Sequence, residues 1–282
     1  MTISHLPTLL LPGGLCVPVL GQGTWNMGDD PARRGEELRA LQTGLDLGLT
    51  LIDTAEMYGN GNSEHLVGEA IRGRRDEVLL VSKVLPSHAS RQGTVEACHA
   101  SLRRLGTDSL DLYLLHWRGR VPLAETVEAL ESLRHSGDIR AWGVSNFDPD
   151  DLLELARVPG GDQVATNQVL YNLTRRGIEF DLLPQSQQRG LPIMAYSPVE
   201  QGRLAGNAAL RMVAVRHGVS ELQVALAWVL RQPGVIAIPK AAQVSHVREN
   251  HAALDLKLTE DDLVALDQAF PPPRQAQALE ML

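Results

Sequence analysis

Short apolar runs that end at polar side chains recur along the whole chain. Several runs, such as residues 78–81 and 235–238, are apolar at nearly every position, which is typical of parallel strands buried on both faces. Successive run ends lie 23 to 44 residues apart, and a strand with its returning helix needs about 30 residues. The pattern therefore predicts an α/β chain of eight βα units, closed into a (β/α)8 TIM barrel with its active site at the carboxyl ends of the strands. The run ends are Thr24, Asp53, Lys83, His116, Ser145, Gln168, Tyr196 and Lys240.

Segments with helical periodicity separate the predicted strands. The longest interval, between Tyr196 and Lys240, contains two of these helices and the loop 199–204, which we interpret as a cover over the site. At the amino end, apolar stretches around Pro12-Gly13-Gly14 predict a β-hairpin against the bottom of the barrel. With extra C-terminal helices and no linker, we predict a single domain over residues 1–282. The predicted helices cover residues 36–47, 94–105, 122–133, 208–217, 221–230, 244–253 and 260–269.

Composition narrows the class of protein and its partners. The formal net charge of -8 argues against nucleic acid or an anionic membrane as a partner, because both attract basic surfaces. Cys16 and Cys98 are too few for a disulfide framework and fit a reducing compartment. The first residues have no basic leader, and no apolar segment approaches the ~20 residues of a membrane span. We therefore expect a soluble, cytoplasmic enzyme.

Four residues suited to proton transfer follow the second to fourth predicted strands. They are Asp53, Tyr58, Lys83 and His116. A lysine ammonium beside a tyrosine favours the phenolate and lowers its pKa from the ordinary value near ~10. An aspartate keeps that lysine charged, and a histidine can position a carbonyl oxygen, so the set could reduce a carbonyl if hydride came from another group. Each of the four residues alone also has a structural interpretation. The alternatives are a turn cap for Asp53, a loop anchor for Tyr58, a solvated side chain for Lys83 and a hydrogen-bonded core position for His116.

The sequence around these four residues resembles the signature of the aldo-keto reductases. The segment LIDTAEMYG at 51–59 carries Asp53 and Tyr58, and Lys83 and His116-Trp117 match the rest of that family's catalytic set. The resemblance implies that Tyr58 is the general acid, that Lys83 tunes it while paired with Asp53, and that His116 orients the substrate. Further matching motifs are WGVSNF at 142–147, NQ at 167–168, AYSP at 195–198 and IPK at 238–240.

The same resemblance implies a nicotinamide cofactor, with NADPH expected. Ser145, Asn146 and Gln168 would bind its carboxamide, and Tyr196 would stack on its ring. Glu249 and Asn250 match the family residues that contact adenine. The remaining expected cofactor contacts are Thr24, Trp25, Ser197, Pro198, Val199, Gly202, Leu204, Ile238, Lys240, His246 and Arg248.

One position departs from the family pattern. Lys240 suits a 2′-phosphate as a point charge, and a helix start near Val244 adds a positive dipole end. Where many members place an arginine, this chain has His246, with Arg248 two residues later. Because a neutral histidine has no fixed charge, we expect a weaker preference for NADPH than usual, with NADH as an alternative cofactor.

The expected substrate pocket consists of Trp25, Tyr58, His116 and Trp117, although core packing is an alternative for each tryptophan. Short loops and a tail of nine residues after Pro273 predict an open pocket. Small aldehydes, 2-oxoaldehydes and ketones would fit it. The chain is most similar to bacterial members that reduce methylglyoxal-like 2-oxoaldehydes and aromatic aldehydes. A monomer is expected by the same resemblance.

Three other functions are weighed against carbonyl reduction. A Schiff-base aldolase could use Lys83 as its nucleophile, but pairing with Asp53 would keep that lysine charged. A cofactor-sensing regulatory barrel would not need the full set of four residues. A metal site is not expected, because the nine histidines form no motif with ligand spacing.

Overall fold

The computed structural model describes residues 6–282, and its centre is an eight-stranded parallel sheet. The eight strands, β3 to β10, neighbour one another in chain order, and a separate antiparallel pair, β1 and β2, precedes them. The strands are β1 (Thr8–Leu10), β2 (Cys16–Pro18), β3 (Gln22–Gly23), β4 (Leu51–Asp53), β5 (Leu79–Val84), β6 (Leu110–Leu115), β7 (Ile139–Ser145), β8 (Asn167–Leu170), β9 (Ile193–Tyr196) and β10 (Val235–Ala237).

Among the described residues, ten α-helices surround or follow the sheet. They are α1 (Arg34–Asp46), α2 (Asn62–Ala70), α3 (Arg91–Leu105), α4 (Leu123–Ser136), α5 (Pro149–Leu155), α6 (Leu182–Arg189), α7 (Ala208–His217), α8 (Glu221–Leu230), α9 (Val244–Ala252) and α10 (Glu260–Ala269). Within residues 6–282, none of the helices is both long and apolar enough to cross a membrane.

The first and last strands of the sheet meet and close it into a barrel. The backbone N–H of Gly21 donates to the Ala237 carbonyl at 2.9 Å, and Ala237 N–H donates to the Val19 carbonyl at 2.8 Å. At the upper end, Gly23 N–H donates to the Pro239 carbonyl at 3.1 Å. The predicted (β/α)8 barrel is confirmed, and Gly23 and Lys240 form a parallel bridge at the seam.

The barrel interior is filled by aliphatic side chains from alternating strand positions, among them Leu51, Val81 and Met194. The predicted amino-terminal hairpin is confirmed, and its Leu11 and Val17 belong to the same buried cluster. The larger cluster lies between strands and helices, where Trp142 and Trp228 are fully buried. The hairpin therefore seals the end of the barrel away from the polar strand ends.

The helices at 208–217, 221–230 and 260–269 were predicted at their observed bounds, whereas α2, α5 and α6 were not predicted. The unpredicted three are only 7 to 9 residues long, which leaves about two turns to show periodicity. The cap before α5 is Asp148, which forms a capping box with Asp151. The expectation about a leader involves residues 1–5, which lie outside the described part of the chain.

Candidate active site

The structure brings the four proposed catalytic side chains together at the carboxyl end of the barrel. Asp53 ends β4, Lys83 lies in β5, and His116 follows β6 directly. Tyr58 begins a short 3-10 turn in the β4–α2 loop, which carries its ring back over the strand ends. The ring centroids of Tyr58 and His116 are 5.9 Å apart at 73°, so the two rings meet edge to face. Parallel strands in register explain this convergence.

Lys83 is the centre of the site. Its ammonium is fully buried and donates to Asp53 Oδ2 at 2.7 Å, to the Thr54 carbonyl at 2.8 Å and to Tyr58 Oη at 3.0 Å. Three acceptors match the three protons of an ammonium, so a buried charge is compensated. The bond to the Thr54 carbonyl could not be predicted from the sequence, because every residue has a backbone carbonyl and the residue type does not show which one accepts a hydrogen bond.

Burial and charge oppose each other at Tyr58 and Lys83. Burial raises the pKa of Tyr58, the Lys83 charge lowers it, and the net direction is upward from 10.0. The Lys83 charge thus lowers the pKa of Tyr58 as expected. The expected net decrease of that pKa was wrong, because the effect of burial is larger than that of Lys83. Burial lowers the pKa of Lys83, yet Asp53 and Tyr58 raise it more, so Lys83 stays charged. At neutral pH, Tyr58 therefore holds its proton beside an ammonium.

His116 is a neutral side chain. Burial, with the nearby Lys83 charge, lowers the pKa of His116 to about 2. Within residues 6–282 its Nδ1 is buried without a hydrogen-bond partner. A neutral imidazole offers one N–H and one lone pair, which suits it to orient a polar group without adding charge.

Four polar residues in or directly after the next strands form one network with the catalytic four. Asn146 donates to the His116 carbonyl at 3.1 Å, and Ser145 Oγ donates to the Gln168 carbonyl at 2.8 Å. Gln168 Nε2 donates to Asp53 Oδ1 at 2.8 Å, across the barrel. Tyr196 Oη in turn donates to Asn146 Oδ1 at 3.1 Å. The amides predicted to hold a carboxamide therefore contact the backbone or side chains of the catalytic set.

Three comparisons with known proteins agree on one family. The model of the "Aldo/keto reductase family" matches residues 19–270. The chain is 54% identical over 275 residues to methylglyoxal reductase YeaE of Escherichia coli, covering 96% of this chain and 97% of that protein.

The chain belongs to the aldo/keto reductase family.

Two other members show the range of the family. A crystal structure of an aldo-keto reductase from Klebsiella pneumoniae in complex with NADPH superposes with a TM-score of 0.95 at 51% identity, covering 99% of this chain and 100% of that one. An NADH-specific methylglyoxal reductase of Escherichia coli is 31% identical, covering 93% of this chain and 95% of its own length. Membership in this oxidoreductase family confirms the resemblance drawn from residues 51–59 and the motifs after it.

In this aldo/keto reductase, the other predicted cofactor residues occupy three places at the same end of the barrel. Thr24 is buried and its hydroxyl donates to the Asp53 carbonyl at 2.9 Å. The predicted residues from Ser197 to Leu204 lie in the β9–α7 loop, which covers residues 197–207. Lys240 stands at the barrel seam, with His246, Arg248, Glu249 and Asn250 on α9. The side chains of Leu204 and Ile238 are buried in apolar clusters, which leaves their main chain as the part able to contact a cofactor.

The β9–α7 loop is held in an unusual backbone conformation. Ser197, Glu200 and Gln201 have positive φ values of 48°, 49° and 56°. Such angles are costly for residues other than glycine and persist where surrounding contacts fix them. Here the buried Glu200 carboxylate accepts from Asn172 at 2.8 Å and pairs with Arg175 at 3.1 Å. The loop predicted to cover the site is therefore anchored through Glu200.

The aromatic residues predicted at the substrate pocket lie at its mouth. Trp25 is 42% exposed, which excludes core packing for this side chain, and Trp117 is half-buried with its ring 5.0 Å from that of His116. The C-terminal tail also reaches the site, because the Leu282 N–H donates to Tyr196 Oη at 3.4 Å. Arg175 pairs with Glu280 of the same tail at 2.5 Å. The mouth is thus less open than the short tail suggested.

Proposed function

We propose that this aldo/keto reductase is an NADPH-dependent carbonyl reductase for small aldehydes, 2-oxoaldehydes or ketones. The observation that carries the proposal is the bond from Lys83 to both Asp53 and Tyr58 in a fully buried cluster. This arrangement keeps a phenolic proton next to a fixed positive charge. The relation to a methylglyoxal reductase at 54% identity supports the substrate class.

The residues that would hold the nicotinamide fit an amide and a flat ring. Ser145, Asn146 and Gln168 offer donors and acceptors at consecutive strand ends beside His116. Tyr196 Oη donates to Asn146 Oδ1 at 3.1 Å, so the Tyr196 ring lies beside the amide of Asn146. NADPH bound there would supply hydride to the carbonyl carbon. A relative at 51% identity crystallised with NADPH supports that cofactor.

The chain's own residues then handle the proton. His116, being neutral, orients the carbonyl oxygen toward Tyr58. Tyr58 Oη donates its proton to that oxygen as negative charge develops on it, and Lys83 stabilises the phenolate left behind. Asp53 holds Lys83 in place. Because Lys83 is charged and fully bonded, it is a poor nucleophile, which argues against the Schiff-base aldolase.

The decisive variant is Tyr58→Phe, which removes the proton donor and keeps the ring. We expect kcat for methylglyoxal reduction, followed by NADPH absorbance, to fall by about 10²–10⁴-fold. The matched control is Tyr113→Phe, because the buried Tyr113 hydroxyl has no hydrogen-bond partner among the described residues. Full activity in Tyr58→Phe would contradict the assignment, and borohydride trapping of substrate on Lys83 would favour the aldolase.

Some properties stay predictions of this proposal. We propose a single domain over residues 1–282, a monomer and a cytoplasmic location. We propose NADH as the weaker cofactor because Lys240 is present, although a 31% identical relative is NADH-specific. The roles given to individual site residues are part of the same proposal, and Tyr58→Phe tests the role of the proton donor.

A further inference from the structure

Two cationic side chains, Arg33 and Lys240, belong to the region of the barrel seam. Lys240 forms a parallel bridge with Gly23, so it lies where the first and last strands join. The loop from Gly23 leads to Arg33, the residue directly before α1, and α1 packs against α9. Arg33 and Lys240 are both exposed. Partial burial lowers the pKa of Lys240, and the positive charge of Arg33 lowers it further.

The position of Arg33 is unfavourable for its own helix. It occupies the N-cap of α1, where Ser, Thr, Asp or Asn normally accept a backbone N–H, and its side chain makes no cap bond. A cation there also faces the positive end of the helix dipole. Helix stability therefore does not explain an arginine at this position.

No carboxylate neutralises the pair. Within the described residues, Arg34 pairs with Glu69 at 2.6 Å, whereas neither Arg33 nor Lys240 forms an ion pair. The negative charge of Glu37 raises the pKa of Lys240, but this buried carboxylate accepts a hydrogen bond from Gly28 N–H at 2.9 Å and forms no ion pair with Lys240. On α9, His246 and Arg248 are exposed, and the carboxylate of that helix, Glu249, accepts a hydrogen bond from Ser220 Oγ at 3.4 Å. In a chain of net charge -8, Arg33 and Lys240 thus have no ion-pair partner among residues 6–282.

We infer that Arg33 is a cofactor-binding residue that, together with Lys240, binds the 2′-phosphate of NADPH in a chain that has His246 where many family members have an arginine. A guanidinium can bind a phosphate monoester in a bidentate manner while the ammonium acts as a point charge. The dianion would remove the repulsion between the two cations. This inference rests on the proposed function only in that NADPH is the cofactor.

The test is equilibrium binding, measured by calorimetry for NADPH, NADH and the probes adenosine 2′,5′-bisphosphate and adenosine 5′-monophosphate. In Arg33→Ala, we expect the Kd for NADPH and for the bisphosphate to rise about tenfold or more. The Kd for NADH and the monophosphate should change less than about twofold, because they lack the 2′-phosphate. Arg33→Lys should recover part of the loss.

The matched control is Arg39→Ala, which removes an exposed arginine of α1 that forms no ion pair among the described residues. We expect it to leave all four Kd values unchanged. Equal weakening of NADPH and NADH in Arg33→Ala, or no weakening, would overturn the inference. If the unaltered protein binds NADPH in this selective way but reduces no carbonyl, the proposed function fails while the role of Arg33 stands.

Discussion

Each oxygen of the Asp53 carboxylate has its own donor, and the two donors belong to different parts of the site. Lys83 occupies Oδ2, on the side of the phenol, and the Gln168 amide occupies Oδ1, on the side expected to hold the nicotinamide. Gln168 is buried, so this bond is shielded from water. Asp53 therefore connects the Lys83–Tyr58 pair to Gln168, which is expected to bind the nicotinamide.

Replacing Gln168 with Met tests that connection. The variant keeps the shape of the side chain but leaves Asp53 Oδ1 without the amide donor. We expect the free energy of unfolding in urea to fall by about 1–3 kcal/mol, because a buried charged acceptor loses its partner. Gln163→Met, at an exposed position before the same strand, should leave stability unchanged. An unchanged free energy of unfolding in Gln168→Met would show that the hydrogen bond from Gln168 to Asp53 does not stabilise the fold.

The sequence predicted which side chains would meet at the candidate site but not how they are bonded to one another. Asp53, Lys83 and His116 could be found because each interrupts an apolar run where a buried strand ends. The bond from Gln168 to Asp53 joins residues 115 positions apart, and no local pattern encodes it. The net pKa direction at Tyr58 was also beyond the sequence, because it depends on how deeply the ring is buried.

Among the elements, α7 and α10 are joined by a single buried carboxylate. Asp262 closes the capping box of α10 with Thr259 and accepts from His217 Nε2 at 2.7 Å. Arg216 of α7 also pairs with it. Although burial raises the pKa of Asp262, these hydrogen bonds lower it more, to about 2.

Asp262→Asn should destabilise the protein in a pH-dependent manner. A carboxylate whose pKa is depressed in the folded state stabilises it above the unfolded value near ~3.9, and this contribution is lost as pH falls toward 2. We expect a loss of about 2 kcal/mol at pH 7, constant down to pH 5, in urea unfolding. The exposed neighbour Asp261→Asn is the control for helix-dipole effects. Equal effects of both variants would contradict the role of the buried contacts.

Helix length contributed to which helices could be predicted, although α9, with 9 residues, was predicted and α2, also with 9 residues, was not. The 10-residue helices α7, α8 and α10 begin at side-chain caps and repeat their apolar positions often enough to be recognised. The shorter α6 has Pro184 near its start, and α2 follows directly on the turn that begins at Tyr58. In both cases packing onto the barrel, and not local periodicity, fixes the helix.

At the scale of the whole molecule, the barrel depends on a close backbone approach at its seam. A Cβ atom on Gly23 would lie 2.7 Å from the Ile238 carbonyl oxygen. The strand there is only two residues long, so few other hydrogen bonds hold the closure. The eightfold repeat of apolar runs predicted a closed barrel, but the seam contact requires the three-dimensional register.

Gly23→Ala should therefore weaken the closed barrel. We expect the free energy of unfolding to fall by about 1–3 kcal/mol, because the seam must open to admit a methyl group. Thermal unfolding would show a Tm lowered by about 2–4 °C for each kcal/mol. Gly35→Ala is a suitable comparison, since its added Cβ would meet only Arg39 Nη1 at 3.6 Å. A Tm for Gly23→Ala that matches that of Gly35→Ala would contradict this account.

The four tryptophans of the chain divide into two pairs with different surroundings. Trp25 and Trp117 border the mouth of the site, whereas Trp142 and Trp228 are sealed in the layer between strands and helices. Intrinsic fluorescence of this protein is therefore a composite signal. Emission from Trp25 and Trp117 will respond to ligands bound at the mouth of the site. Emission from Trp142 and Trp228 will shift only when the barrel unfolds. Selective quenching by a water-soluble quencher such as acrylamide separates the two contributions within one sample.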